Sequence, residues 1–293
     1  MPDNRASYPC PVCFAKSPRL LYEINSFRIA RCASCGMIYV DPRIRTEDIF
    51  DIYRGEYFHH GRQGGYENYE LTAPLRIKTF ERWYNDLEPY LPDRKEAALD
   101  IGCAAGYFLE LLRQRGWPCV EGMELNRPMT QDLRRRGFEI FDVPLEQFVP
   151  KRRYQLITLF DVLEHLPDIN TDFEKLRAML DEGGIVALVT PDFSSLQRKL
   201  FGRRWFQFKP REHIYYFTPQ TLKKIAQNHG FSVAFLQASG QFADFDFLQN
   251  RLARYRFPML GKAFSLACSG FGLKKKLWYV DTASMFAVLQ KQA

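Results

Sequence analysis

The sequence predicts an α/β fold with a seven-stranded, mostly parallel sheet, helices on both faces and a small N-terminal module. Between residues 96 and 190, short apolar runs alternate with segments of helical periodicity, a pattern typical of parallel strands joined by crossover helices. One apolar run, 98–101, ends in a glycine-containing turn that opens directly into such a helix. Another run, 185–189, is almost continuously apolar, as are strands buried on both faces. These observations together predict a Rossmann-like architecture.

The predicted elements follow one another in a regular order along the chain. A helix at 73–91 leads into the sheet. Strands are predicted at 96–101, 118–124, 138–141, 154–160, 184–190 and 232–238, and a final antiparallel strand at 280–288. Helices are predicted at 106–115, 127–136, 170–181 and 219–229. The acidic and glycine residues at 181–184 predict a helix stop and a turn before the fifth strand.

The turn after the first strand carries a charged group where a ligand is expected. It reads Asp100-x-Gly102-x-x-x-Gly106, which differs from the G-x-G-x-x-G turn that binds a pyrophosphate. An acid at the strand end favours a positively charged ligand group, and the glycines let a ligand approach the backbone closely. S-adenosylmethionine, with its adenosine, sulfonium and ammonium groups, fits this arrangement.

A second acid, Glu124, lies 18 residues beyond Gly106, at the predicted end of the next strand. In doubly wound folds an acid at this place binds the ribose hydroxyls of a nucleotide-like ligand. Glu121 is interpreted instead as a solvated loop carboxylate.

A third stretch, residues 160–168, reads F-D-V-L-E-H-L-P-D and follows the apolar strand at 154–160. With the preceding acids and glycines, it resembles class I S-adenosylmethionine-dependent methyltransferases of the ubiquinone-methyltransferase-like branch. The resemblance spans residues 70 to 240 and implies that Val143–Leu145 flank the adenine. The fifth strand ends in T-P-D, where many relatives have T-P-N. The resemblance implies a cofactor site formed by Asp100, Gly102, Cys103, Gly106, Glu124, Leu125, Phe160 and Asp161.

Two C-x-x-C pairs near the N-terminus, Cys10 with Cys13 and Cys32 with Cys35, are separated by 18 residues. This spacing is typical of a four-cysteine zinc site built from two knuckles. Four thiolates leave no open coordination position, so the predicted Zn²⁺ is structural. The stretch between the pairs alternates enough to form a small hairpin.

The composition sets limits on location and partners. No apolar run is long enough to span a membrane, and the N-terminus lacks the apolar segment of a signal peptide. We therefore expect a cytoplasmic protein with reduced cysteines. The net charge is +7, and two stretches, 193–211 and 247–280, contain several cations and no acid. These blocks predict an anionic small-molecule or lipid-linked acceptor, with peripheral membrane contact through 247–277.

The chain is divided into four predicted parts. Residues 1–45 form the zinc-binding module and 46–70 a linker or lid. Residues 71–240 form the cofactor-binding core, with an acceptor insertion at 193–217. Residues 241–293 are a basic and aromatic extension that ends in the last core strand.

Two histidines are candidates for a catalytic base. Methyl transfer requires a nucleophile held in line with the methyl carbon, and a hydroxyl or carbon acceptor must also lose a proton. His165 follows the fourth strand, and His213 lies in the segment E-H-I-Y-Y-F-T-P, which recurs in methyltransferases linked to sugar and lipid-carrier pathways. The aromatic residues of the insertion, among them Trp205 and Tyr216, are candidates for stacking on a sugar or base.

We expect transfer of a methyl group to a sugar nucleotide or glycolipid. One alternative is an RNA methyltransferase, suggested by the zinc module and the basic blocks. The stretch 160–163 lacks the (N/D)-P-P-(Y/F) motif of adenine-N6 enzymes, so nucleic acid is disfavoured as the acceptor. The other alternative is a non-enzymatic, cofactor-binding scaffold whose zinc module recruits a partner.

Overall fold

A computed structural model describes residues 8–42, 44, 72–245 and 277–292 of the protein. The predicted linker at 46–70 lies outside these residues, as does almost all of the basic stretch 247–277. The boundaries of the predicted domains therefore stay predictions.

A seven-stranded sheet forms the centre of the fold. The described strands are β1 (Pro18–Ile24), β2 (Phe27–Cys32), β3 (Ile38–Val40), β4 (Ala97–Ile101), β5 (Cys119–Met123), β6 (Glu139–Phe141), β7 (Tyr154–Phe160), β8 (Leu180–Pro191), β9 (Tyr215–Tyr216), β10 (Phe231–Ala243) and β11 (Trp278–Lys291). The order across the central sheet is β10-β11-β8-β7-β4-β5-β6. Strands β4 to β8 pair in parallel, whereas β11 is antiparallel to both β8 and β10. The prediction of a mostly parallel seven-stranded sheet is confirmed.

Helices cover both faces of this sheet because the side chains of its strands alternate. The helices are α1 (Ala73–Leu87), α2 (Tyr107–Gln114), α3 (Arg127–Arg135), α4 (Ile169–Met179), α5 (Leu196–Phe201) and α6 (Pro219–Asn228). Ala98 and Leu156 belong to one buried cluster with side chains of α1 and α2. Their neighbours Leu99 and Ile157 belong to another cluster, with side chains of α4 and α6. Each strand therefore has an apolar residue on both faces.

The turn predicted at 181–184 is wrong as a break between elements. The helix ends earlier, at Met179, and β8 already begins at Leu180, which pairs with Tyr154 of β7. The acidic and glycine residues form an irregularity inside β8, after which the parallel pairing resumes at Ile185. Gly183 has φ +72°, so the glycine serves a bulge in the strand rather than a helix stop.

A second, four-stranded sheet joins the N-terminal module to the core. Its order is β1-β2-β3-β9, so the predicted hairpin is present and its sheet continues into a strand from the insertion after β8. Ile38 lies opposite Tyr216, and Tyr39 lies opposite Tyr215. The backbone N–H of Val40 also donates to the carbonyl of Ile214 at 3.0 Å.

The first knuckle, Cys10–Cys13, is attached to helices of the core as well. The amide of Asn170 on α4 donates to the carbonyl of Pro11 at 2.9 Å, and the amide of Asn228 on α6 donates to that of Val12 at 2.8 Å. Val12 and Tyr39 belong to the same buried cluster as the core helices. The N-terminal module and the core therefore share a hydrophobic interior.

Among the described helices, none combines the length and the apolarity needed to cross a lipid bilayer.

Candidate active site

One cleft opens at the carboxyl ends of β4, β5 and β7, where ligands bind in doubly wound folds. Val143–Leu145, the segment expected to flank an adenine, also lines it. Gly106 and His213, also predicted as site residues, are not among its lining residues. The predicted site residues that do line this cleft are Asp100, Gly102, Cys103, Glu124, Leu125, Phe160, Asp161 and His165.

Asp100 is a buried carboxylate at the end of β4. It lies opposite Thr158 of β7, whose hydroxyl donates to the Asp100 Oδ1 at 2.6 Å. Burial raises the pKa of Asp100 to about 7, and the nearby charge of Glu124 adds to this, while the hydrogen bond from Thr158 opposes it. A cationic ligand in the cleft would stabilise the ionised form, so this carboxylate is suited to a positive group.

Glu124 is held rigidly by backbone groups. Its Oε2 accepts from the N–H of Ala104 at 2.9 Å, and its Oε1 accepts from the N–H of Asn126 at 2.8 Å. The residue is only 7% exposed, and burial raises the pKa of its carboxyl although these N–H groups lower it. Each carboxylate oxygen has further lone pairs, so the group retains capacity for a diol such as a ribose.

The prediction that Glu121 is a solvated loop carboxylate is wrong. It is buried on β5, where its Oε2 accepts from the Tyr154 hydroxyl at 2.5 Å and its Oε1 pairs with Arg152 at 3.1 Å. The charge is thus balanced by Arg152 and by the hydroxyl of Tyr154, which lie just before β7 and at its first residue, away from the carboxyl end of β7 that forms the cleft.

The two glycines of the turn are required for packing and backbone conformation. Gly102 and Gly106 have φ angles of +74° and +75°. A Cβ on Gly102 would lie 2.5 Å from a methyl of Val162, and one on Gly106 would lie 2.3 Å from a methyl of Leu133. A tight turn and close packing therefore already require glycine at both positions, and the predicted approach of a ligand to Gly102, which lines the cleft, stays a prediction.

Two residues without glycine's freedom also have positive φ at the cleft. Ala104 has φ +47° and donates its N–H to Glu124, and Asp161 has φ +55° directly after β7. Strained backbone of this kind persists where surrounding contacts fix it, often at functional sites. The sequence indicated the carboxylate of Asp161 but gave no signal for Ala104, because backbone strain in a residue other than glycine leaves no mark on composition.

Aromatic side chains close one side of the cleft. Phe160, at the end of β7, packs against Trp83 of α1 with ring centroids 5.0 Å apart and against Phe108 of α2 at 4.9 Å. Phe80 stacks on Phe160 at 5.9 Å. Phe80, Trp83 and Phe160 all line the cleft, so α1 forms part of its wall.

Arg76 is a cleft residue that the sequence did not single out. It lies on α1 and is the one Arg or Lys among the described residues that line the cleft. Its Nε donates to the Thr72 hydroxyl at 3.2 Å. The helical pattern of α1 indicated its apolar face, but a single arginine on a charged helix carries no signal for a ligand.

The two candidate histidines lie beside each other. The rings of His165 and His213 are edge to face, with centroids 4.8 Å apart. The Nδ1 of His165 donates to the carbonyl of Glu212 at 2.9 Å. His165 lines the cleft, whereas His213 is only 4% exposed and its Nδ1 has no hydrogen-bond partner. His165 is thus the histidine that an acceptor in the cleft can reach.

Both imidazoles are neutral near pH 7. Burial lowers the pKa of His165 to about 4, with Lys209 adding to the effect and the carbonyls of Glu212 and Asp161 opposing it. Burial also lowers the pKa of His213 well below its ordinary value, and both His165 and Lys209 contribute. A neutral imidazole has a lone pair that can accept a proton.

The buried carboxylate of Glu164 lies beside the two histidines. Its Oε1 lies 3.9 Å from the Nε2 of His165, and its Oε2 accepts from the Thr190 hydroxyl at 2.9 Å. Burial raises the pKa of Glu164 to about 8, and the charge of Asp161 adds to this. The backbone N–H of Ile214 donates to the Glu164 carbonyl at 2.9 Å, so the turn that holds His165 is fixed to the segment that holds His213.

Most aromatic residues of the insertion are buried and cannot form a stacking surface, and Phe206 is half-buried. Trp205, Phe208, Tyr215 and Tyr216 are buried, and most pack with the N-terminal sheet. Trp205 and Phe208, for example, lie edge to face at 5.3 Å. The sequence could not separate a ligand platform from a second core, because both need closely spaced aromatic residues.

The four predicted zinc ligands come together in the N-terminal module. The Sγ atoms of Cys10 and Cys35 are 3.5 Å apart, as are those of Cys13 and Cys32, and all four lie within 4.8 Å of one another. In a tetrahedral zinc site with Zn–S bonds of about 2.3 Å, sulfur atoms are about 3.8 Å apart. The geometry therefore fits a four-cysteine zinc site.

The core of the chain matches a known protein family and resembles proteins of known name. Residues 74–234, more than half of the chain, match the family described as a methyltransferase domain. The chain is 30% identical over 133 residues to the ubiquinone biosynthesis O-methyltransferase of Bordetella avium, covering 43% of this chain and 50% of that protein. It is 33% identical over 98 residues to the trans-aconitate 2-methyltransferase of Rhizobium etli, covering 32% of this chain and 38% of that protein. The chain thus spans half or less of the length of these relatives.

A solved structure has a similar fold. The magnesium protoporphyrin IX methyltransferase of Synechocystis, determined with bound SAH, superposes with a TM-score of 0.54 at 15% identity. The match covers 85% of this chain and 100% of that chain. At this identity the similarity concerns the fold.

The buried carboxylate of Asp100 predicts pH-dependent cofactor binding. Protonation of Asp100 removes the charge that a cationic ligand requires, so affinity is lost as the pH falls through about 7. We expect the Kd for S-adenosylmethionine to rise about tenfold from one pH unit above this value to one unit below it. Isothermal titration calorimetry measures this directly.

Two variants control this prediction. Asp100→Asn should bind weakly with a flatter pH profile, which separates Asp100 from titration of the ligand's own amino group. Thr158→Val removes the hydrogen bond that lowers the Asp100 pKa, so the pH dependence should move to higher pH. The same pH profile in wild type and Asp100→Asn would contradict the assignment.

Removal of a metal from the four-cysteine site should loosen the four-stranded sheet β1-β2-β3-β9. We expect one zinc ion per chain, and faster hydrogen exchange at 38–40 and 215–216 after chelation, because β3 pairs with β9. Cys13→Ser should lose the metal, whereas Cys119→Ser, outside the cluster, should keep it. Metal analysis and hydrogen-exchange mass spectrometry test both points; a wild-type protein without metal would contradict the site.

Proposed function

Because the chain belongs to the methyltransferase-domain family, we propose that it is an S-adenosylmethionine-dependent methyltransferase acting on a small or lipid-linked anionic acceptor. The observation that carries the proposal is the convergence of Asp100, Glu124 and Asp161 on one cleft that also contains a neutral histidine. Three acids suit a cofactor with two positive groups, and the histidine suits a proton acceptor.

Different residues of the cleft would bind different parts of the cofactor. Glu124 would bind the ribose hydroxyls, and Val143–Leu145 would flank the adenine. Asp100 and Asp161 would bind the positively charged methionine part. Arg76, the cation among the described lining residues, would pair with its carboxylate. The cofactor supplies a methyl group on a positively charged sulfur; the protein supplies orientation and proton transfer.

His165 is the proposed base. It lines the cleft, and its Nδ1–H is fixed by the carbonyl of Glu212, which orients the ring. Its low pKa keeps it neutral, and an anionic acceptor beside it would raise this pKa and so improve proton acceptance. His213, packed against His165 and shielded from the cleft, would act as a positioning residue.

The acceptor class is proposed from charge and from the insertion. Between 193 and 211 the sequence carries six cations and no acid, and Lys209 lies close enough to lower the pKa of both histidines. This favours an anionic acceptor such as a sugar nucleotide or glycolipid. The relatives are named for ubiquinone biosynthesis and trans-aconitate. A small carboxylate such as trans-aconitate is therefore a second candidate within the anionic class, and an uncharged aromatic acceptor is the competitor outside it.

Burial of the insertion's aromatic residues weighs against RNA. Stacking of unpaired bases requires exposed rings, and Trp205, Phe208 and Tyr216 are enclosed in a core.

We further propose that the four-cysteine site holds structural zinc and that the protein is cytoplasmic.

A radiolabelled methyl-transfer screen tests the function. Sugar nucleotides, lipid-linked sugars, trans-aconitate, catechols and RNA are each incubated with labelled cofactor, and Asp100→Asn serves as the cofactor-site control. Transfer to an anionic small molecule or lipid, lost in the variant, supports the proposal. Cofactor binding without transfer to any acceptor would favour the scaffold, and transfer to RNA would replace the proposed acceptor class.

His165→Gln tests the proposed base. Loss of a general base lowers kcat by about 10²- to 10⁴-fold, while the Kd for S-adenosylmethionine should stay within about twofold of wild type. His229→Gln is the matched control, because His229 bonds to Asn170 at 3.0 Å and does not line the cleft. Equal kcat values for His165→Gln and wild type, with the acceptor that supports transfer, would contradict the role.

A further inference from the structure

Helix α5 presents apolar side chains to solvent. Leu196 and Leu200 are 70% and 71% exposed, and they are four residues apart, so they lie on the same side of the helix. No residue of α5 is buried. Leucines four apart on an exposed helix form an apolar stripe that lacks a partner among the described residues.

Cations surround these leucines. Lys199, Arg203 and Arg204 are exposed in α5 and in the turn that follows it. The sequence has no acid between Asp192 and Glu212. The Arg203 guanidinium donates to the backbone carbonyl of Glu23 at 2.6 Å, a neutral acceptor that leaves the positive charge in place. The surface therefore combines an apolar stripe with an excess of positive charge.

Helix α5 contacts β11, which pairs with a strand that reaches the cleft and follows the basic stretch 247–277 in the sequence. The amide of Gln197 donates to the carbonyl of Asp281 at 2.6 Å. The preceding residue, Val280, pairs with Gln241, which lines the cleft. Ala243 and Trp278 form the last pair of β10 with β11. In the sequence, the stretch 247–277, which has seven cations and no acid, lies between these two residues.

We propose that the surface formed by Leu196, Lys199, Leu200, Arg203 and Arg204 docks onto an anionic lipid bilayer. Leucines inserted at the interface gain free energy from burial, and Lys and Arg gain from negatively charged headgroups. A nucleic acid would satisfy the cations but leave the leucines in water. This interaction is additional to the proposed methyl transfer and does not depend on it.

Vesicle co-sedimentation of the full chain tests the docking surface. Vesicles of phosphatidylcholine with and without phosphatidylglycerol are compared at low and high salt. We expect binding only to the anionic vesicles, weakened by salt because the charge interaction is screened. Leu196→Ser with Leu200→Ser should lower the partition coefficient about tenfold or more. Lys199→Glu with Arg204→Glu should do so by at least as much, since each exposed cation contributes about fivefold.

The matched control is Val149→Ser. Val149 is 81% exposed, but it precedes β7 and so lies toward the opposite end of the parallel strands from α5, which follows β8. Its partition coefficient should equal that of wild type. Circular dichroism and thermal unfolding of every variant verify folding and keep this test independent of the proposed function. Wild-type binding by both α5 variants, equal binding to neutral vesicles, or no vesicle binding by wild type would each overturn the proposal.

Discussion

The parallel pairing of β4 with β5 and β7 is the constraint on which the site depends. Because all three strands end at the same edge, their last residues meet without any contribution from distant loops. The register sets Asp100 opposite Thr158, so the hydroxyl that partners the carboxylate is supplied by the sheet itself. Burying the carboxylates of Asp100 and Glu124 costs free energy. The packing of both faces of this sheet offsets that cost.

A second pairing extends this order to the acceptor side. The residues before β9 include Glu212 and His213, and β9 is held by β3 of the N-terminal module. Since the carbonyl of Glu212 accepts from His165, the N-terminal sheet, the insertion and the cleft histidine form one connected structure. The cysteine cluster, far from the cleft along the chain, thus supports the segment that positions the proposed base.

The sequence predicted those features that depend on local pattern. Most strand ends were located to within three residues because apolar runs and turn residues mark them, although β8 begins four residues before its predicted start and β10 ends five residues after its predicted end. The acids Asp100 and Glu124 and the cysteine pairs were singled out by spacing. Three other features depend on tertiary packing and could not be found in this way: the burial of Glu121, the enclosure of Trp205, and the separation of the two histidines into one that lines the cleft and one behind it. The sequence could not show that Val162 and Leu133 also require glycine at positions 102 and 106, because these contacts come from other elements.

A crystal structure of the protein with S-adenosylhomocysteine tests the central claim most directly. The account predicts the ligand in the cleft at the ends of β4, β5 and β7, with its ribose hydroxyls on the Glu124 carboxylate and its amino group on Asp100 or Asp161. Arg76 should contact the ligand carboxylate. A ligand bound elsewhere, or a cleft in which Glu124 and Asp100 contact no part of it, would contradict the account.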